Sequence, residues 1–240
     1  SQLFGTLSSN GQIVLVNQSG IAVGAGAVVD TAGFTASAVG MTQADAIAGR
    51  LRFAGSELGH ATGALKVDGN IIARGGDVVL IAPSIELAKT AVVESQGGSV
   101  SLAAGQSVEI TGRGLEGITL QVQAPADQAI NLGTLKGDAV GIFAGTLRHS
   151  GLIQAVTADW QGGKVVLRAA GDAYVEGDGK ILATGMAAGA KGGSVDVLGN
   201  RVAIADQAMI DVSGQSGGGN IRVGGDFQGK NPDVPNAELT

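Results

Sequence analysis

Along much of the chain apolar residues take every second position, and the runs restart on paired glycines. Counting the first glycine as zero, five starts align at Gly75, Gly97, Gly162, Gly192 and Gly218. Offset three is Val78, Val100, Val165, Val195 and Ile221, and offset five is Leu80, Leu102, Leu167, Val197 and Val223. Between them, offset four varies freely through Val79, Ser101, Val166, Asp196 and Arg222. This is the period-2 signature of a strand pointing offsets three and five inward and offset four outward. A second alternation follows a short turn, at Ile85/Leu87, Val108/Ile110, Ala173/Val175 and Val202/Ile204. A third precedes the next glycines, at Ile71/Ala73, Ile153/Ala155, Ile181/Ala183 and Ile210/Val212.

Three strand-like pieces, each with two inward residues, describe one turn of a three-sided coil. The starts recur roughly every 20–30 residues, the period of solenoids whose units bury their faces only against neighbours. The Leu-x-x-Leu-x-Leu pattern of leucine-rich repeats is missing, and so is the calcium-binding Gly-Gly-x-Gly-x-Asp nonapeptide. The expected fold is therefore all-β: a single-stranded parallel β-helix with three strands per coil. Parallel crossovers are almost always right-handed, so the coil is expected to be right-handed too. The length suggests about ten coils stacked about 4.8 Å apart. The pairs Gly75–Gly76, Gly97–Gly98, Gly162–Gly163, Gly192–Gly193 and Gly218–Gly219 read as corners, where glycine tolerates positive φ.

The whole span 1–240 reads as one continuous β-helix. Two stretches depart from it. Residues 41–63 space Ala44, Ile47 and Leu51 after a polar Thr42, which fits a short helix or another excursion outside the coil. Residues 225–240 hold two of the 4 prolines and read as an irregular C-terminal segment. The first residues already alternate like folded strand, so the sequence is expected to be a slice of a longer protein.

Composition agrees with many short strands. There are 42 glycines, 44% hydrophobic residues but only 3% aromatics, so the core must be Val, Ile, Leu and Ala with frequent corners. The 15 basic and 21 acidic residues form no like-charged run, and no basic patch points to nucleic acid. Cysteine is absent, which excludes disulfides and thiolate metal sites and suits passage through an oxidising periplasm.

Candidate chemistry is sparse. His60 and His149, the only histidines, are far apart in sequence and read as solvated turn residues rather than metal ligands. Asp172, Glu176 and Asp178 cluster in "GDAYVEGDGK". Paired carboxylates serve acid/base chemistry or calcium, but a solvated turn fits better. Asp196 and Arg222 share the offset-four row and suit a ladder contact across coils. Trp160 offers a sugar a stacking face, though a lone loop tryptophan more often packs. Asn131, Asn200 and Asn220 lie near corners and suit inward asparagine stacks. No nucleophile triad, P-loop or dinucleotide fingerprint is present, and "VGAGA" (23–27) reads as corner glycines. No catalytic, cofactor or metal site is expected.

Several ordered segments carry a family resemblance: "NQSGIAVGAGAVVDTAGFTAS" (17–37), "GRLRFAG" (49–55), "GDAVGIFAGTLRHSGLIQA" (137–155) and the Gly-Gly-x-Val-x-Leu coils. Together they resemble the filamentous haemagglutinin-like exoproteins of two-partner secretion systems in Gram-negative bacteria, across essentially the whole chain. The resemblance implies a secreted or cell-surface adhesin-type module with a right-handed β-helix, recognised by an outer-membrane β-barrel transporter. The family's early Asn-Pro-Asn-Leu motif is absent. Its Asn-Pro-Asn-Gly-Ile element corresponds to "NQSGI", in which Asn17, Gly20 and Ile21 match and Gln18 and Ser19 do not. Two other readings stay open: a β-helical polysaccharide-active enzyme, and a fibre subunit that self-associates end to end through open strand edges. The sequence names no surface receptor.

Overall fold

The computed structural model describes residues 1–54, 63–123, 125–157 and 159–240. Among them the alternating segments form three parallel sheets of eight strands each, so the chain makes eight coils. The fourth coil shows the pattern. Ser84–Leu87 lies on a first face, Val92–Gln96 on a second and Ser99–Ala104 on a third. The length suggested about ten coils. Eight are built because residues beyond Ser37 and beyond Ala104 leave the rod before the next coil begins.

Register is strict because one face of every strand is buried, and a one-residue slip would turn its apolar set outward. On the third face one inward column runs Ile13, Phe34, Val78, Val100, Val140, Val165, Val195 and Ile221. The five residues aligned on glycine pairs belong to it. Ile13, Phe34 and Val140 complete it from strands without such a pair. The second face carries Leu7, Val29, Ile71, Val93, Leu135, Ile153, Ile181 and Ile210 in register. Each wholly buried aliphatic side chain in these columns contributes about 1.5–3 kcal/mol by leaving water.

Val108 and Ile110 were expected on the second strand of a coil. They lie instead outside the rod, in Ser107–Ile110. This strand is the centre of an antiparallel sheet flanked by Leu51–Ala54 and Ile118–Gln121. Period-2 alternation shows that one side is buried, but not against what. The sheet covers the third face, packing Val39, Phe53 and Val108 on Val79, Ile81 and Ala103. The start of the offset-four row is thus buried rather than outward: Val79 and Ser101 sit beneath this sheet.

The first departure opens with the helix Gln43–Ile47, where the Thr42 hydroxyl accepts from the Asp45 amide at 3.1 Å as an N-cap. Arg50 Nε donates to the Asp45 carboxylate at 2.7 Å and turns the chain into Leu51–Ala54. Hydrogen bonds from Thr42 and Arg50 hold the Asp45 carboxyl below its usual pKa. Residues 55–62 lie outside the described residues. At the other end, the chain beyond Val223 passes through the 3-10 turn Phe227–Gly229. It then returns to the rod, where Leu239 bridges Arg201 in parallel and its carbonyl accepts from the Val202 amide at 2.9 Å.

Candidate functional site

The turn at 17–21 joins the third face of the first coil to the first face of the second. The Asn17 amide donates to the Ser37 carbonyl at 2.9 Å, and Asn17 Oδ1 accepts from the Ser19 amide at 3.0 Å. Its Nδ2 donates to Ser1 Oγ at 2.8 Å. Gly20 has φ +102, and a Cβ there would meet the Ala64 carbonyl oxygen at 2.9 Å, so both conformation and space call for glycine. Ile21 follows as the first buried residue of its strand, in register with Leu65. Gln18 and Ser19 are exposed between these anchors.

The glycine pairs work in two ways. Gly75 and Gly97 adopt positive φ, +101 and +82. Gly162, Gly192 and Gly218 do not. The second glycine answers to crowding between coils. A Cβ on Gly163 would overlap the Asp138 carbonyl, one on Gly193 the Gly163 carbonyl, and one on Gly219 the Gly193 carbonyl. Gly76 and Gly98 likewise approach the backbone of the coil before, at Ala32 and Gly76. Gly218 meets nothing closer than 3.9 Å.

One inward column of the first face is not wholly aliphatic. It runs Leu3, Val23, Val67, Leu87, Asn131, His149, Val175 and Ile204. His149, expected as a solvated turn residue, is completely buried. Its Nε2 lies 3.2 Å from the Lys180 carbonyl and must donate to it. Its Nδ1, 3.1 Å from Asn131 Nδ2, therefore accepts. Asn131 Oδ1 accepts in turn from the Gly133 amide at 3.1 Å. The pair is satisfied only with a neutral imidazole, and burial pushes the His149 pKa down to about 4. Asn131 is the inward asparagine expected of a β-helix, whereas Asn200 and Asn220 are exposed. His60 lies outside the described residues.

Two carboxylates of the acidic cluster, Asp172 and Glu176, are tied to arginines rather than free. Asp172 receives Arg201 through two bonds of 2.7 and 2.6 Å and the Tyr174 hydroxyl at 3.0 Å. Glu176 pairs with Arg148 at 2.8 Å, and the Arg148 guanidinium lies 4.6 Å from the Tyr174 ring centre. The Arg201 bonds hold the Asp172 carboxyl below its ordinary pKa. Asp178 is exposed to solvent. Asp196 and Arg222 do meet across coils, through two bonds of 2.7 Å. These carboxylates are spent on joining coils, and no group of three or more metal-ligating side chains occurs among the described residues.

Trp160, weighed as a packing residue, is 59% exposed. Its φ is +57, a left-handed conformation that costs a bulky residue about 1–3 kcal/mol. It is held there by its carbonyl, which accepts from the Met186 and Ala187 amides at 2.8 and 3.2 Å.

The architecture is a three-faced parallel coil with an outer antiparallel sheet on its third face. The model of the TPS secretion domain matches residues 1–183, and the chain belongs to that family. It is thus a domain of a two-partner secretion exoprotein, secreted across the outer membrane. Among solved structures it is similar to the HMW1 secretion domain from Haemophilus influenzae, with a TM-score of 0.86 and 31% sequence identity. That match covers 98% of this chain, while the chain spans 64% of the HMW1 secretion domain's own length. No curated protein matches the sequence.

Proposed function

We propose that this chain is the module by which an adhesin-type exoprotein is presented to its outer-membrane β-barrel transporter and then nucleates a surface rod. It acts as a recognition and structural unit rather than a catalyst. The observation that supports this reading is the secretion-domain match over residues 1–183. In it, the corner carrying Asn17, Gly20 and Ile21 supplies the recognised shape: a turn braced by Asn17 that presents Gln18 and Ser19 beside the first coil.

The fold suits export by sequential folding. Each coil packs its inward columns on the coil before it, which supports a chain emerging at the cell surface adding coils one at a time. Each added coil buries several aliphatic side chains that cannot slip back, which draws the chain outward. The finished rod holds later segments away from the cell for attachment.

The test is export into the medium by cells expressing the chain, behind a Sec signal, with or without a two-partner transporter. Export is expected only with the transporter, and Asn17→Ala is expected to lower it severalfold while far-UV circular dichroism of the purified variant stays unchanged. Equal export without the transporter, or by Asn17→Ala, would remove the recognition role.

A further inference from the structure

We propose that the groove beside Trp160 is a subsite for a neutral hexopyranose unit of an oligosaccharide. It opens between the second and third faces and encloses about 490 Å³, within the range of small-ligand sites. Glu94, Gln96, Lys136, Asp138 and Gln154 line it together with Trp160.

Three features select the ligand. The indole is exposed and set in a strained backbone conformation, held by the two amides that grip its carbonyl. Such strain persists where the surrounding structure imposes it, and it clusters at binding sites. A pyranose offers a C–H face that packs on an indole. The second feature is Asp138. Its carboxylate is half-buried and has no hydrogen-bond donor or cation among the described residues, and burial raises its pKa. A partly desolvated acceptor of this kind calls for donors, and adjacent sugar hydroxyls supply them.

The third feature is the fence. The Lys136 and Gln154 side chains carry no hydrogen bond or ion pair among the described residues, whereas the Glu94 carboxylate accepts from Gln96 Nε2 at 3.1 Å. Free amide, ammonium and carboxylate groups around a platform suit a ring of hydroxyls. Two carboxylates, Asp138 and Glu94, outweigh the single Lys136 ammonium in this lining, so the net negative groove disfavours an anionic saccharide or a phosphate. The ligand is therefore a neutral sugar. This inference does not depend on transporter recognition, since the groove lies on coils four to six and the Asn17 corner on the first two.

Trp160 is the single tryptophan, so its emission reports the site directly. The purified 240-residue chain is titrated with lactose, maltose, cellobiose and chitobiose, with a heparin-derived disaccharide as the anionic probe. At least one neutral disaccharide is expected to change the emission saturably. Asp138→Asn is expected to weaken that binding about tenfold by removing a charged acceptor. Trp160→Ala, followed by calorimetry, is expected to abolish it with far-UV circular dichroism unchanged. No saturable response to any neutral disaccharide, a response indifferent to Asp138→Asn, or a response to the heparin disaccharide alone would each overturn the assignment.

Discussion

A fully buried histidine whose two ring nitrogens are committed to a neutral network makes the rod acid-sensitive in a calculable way. His149 ordinarily titrates near 6.5 and in the fold near 4. Its folded pKa is depressed, so between these values the unfolded chain binds more protons. Stability is therefore full above the unfolded pKa and falls as pH drops toward the folded one. Over the whole window the shift corresponds to about 3 kcal/mol. Between pH 7 and pH 5, above the range where the paired carboxylates protonate, the same linkage removes about 2 kcal/mol. For a domain of this size that is about 4–8 °C in midpoint temperature.

The comparison variant is His149→Leu, which matches the aliphatic neighbours Leu87 and Val175 in the same column. At pH 7 it costs about 1–3 kcal/mol, because Asn131 Nδ2 and the Lys180 carbonyl lose their partner. Between pH 7 and pH 5 it loses about 2 kcal/mol less than the parent. The gap between the two proteins should thus narrow or close on acidification. His60 is common to both and cancels. Urea unfolding at the two pH values, followed by circular dichroism, reads the difference. Parallel pH slopes for parent and variant would falsify the buried, neutral assignment of His149.

Three further outcomes follow from packing. Gly193→Ala forces a methyl into the Gly163 carbonyl and should cost more than about 3 kcal/mol in urea unfolding. Gly189→Ala, at φ +79 with open space around its Cβ, should cost only about 1 kcal/mol; similar costs for both would refute the stacked-corner account. Ser101→Ala should raise stability by about 1 kcal/mol, since the buried Ser101 hydroxyl has no partner beneath the outer sheet. Arg222→Ala should cost about 2 kcal/mol, because the Asp196 carboxylate, only 7% exposed, loses the guanidinium that donates both of its short bonds. A neutral effect there would show that the pair is solvated.

By itself, the sequence determined the coil. Alternating β-branched and aliphatic residues force one face inward at every strand, and a repeat of glycine-led starts permits only stacking on a copy of itself. The inward pairs Val78/Leu80, Val100/Leu102, Val165/Leu167, Val195/Val197 and Ile221/Val223 therefore appear in the structure in mutual register. Coils without a glycine pair, such as Gly33–Ser37, were less legible, because the same corner is made there by a single glycine.

What the tertiary structure decided was the environment of residues that local pattern leaves equivalent. Ser107–Ile110 alternates like any coil strand, yet pairs antiparallel outside the rod, because its buried side can be covered equally well by Val79 and Ile81. His149 and Asn131 stand in positions equivalent to Leu87 and Val175, and their meeting across neighbouring coils gives each buried polar side chain hydrogen-bond partners. Trp160 and Asp138 lie in different coil segments, and the groove they share exists only once the coils stack. Period fixes which way a side chain points; what it points at depends on residues about 20 or more positions away, which no local pattern contains.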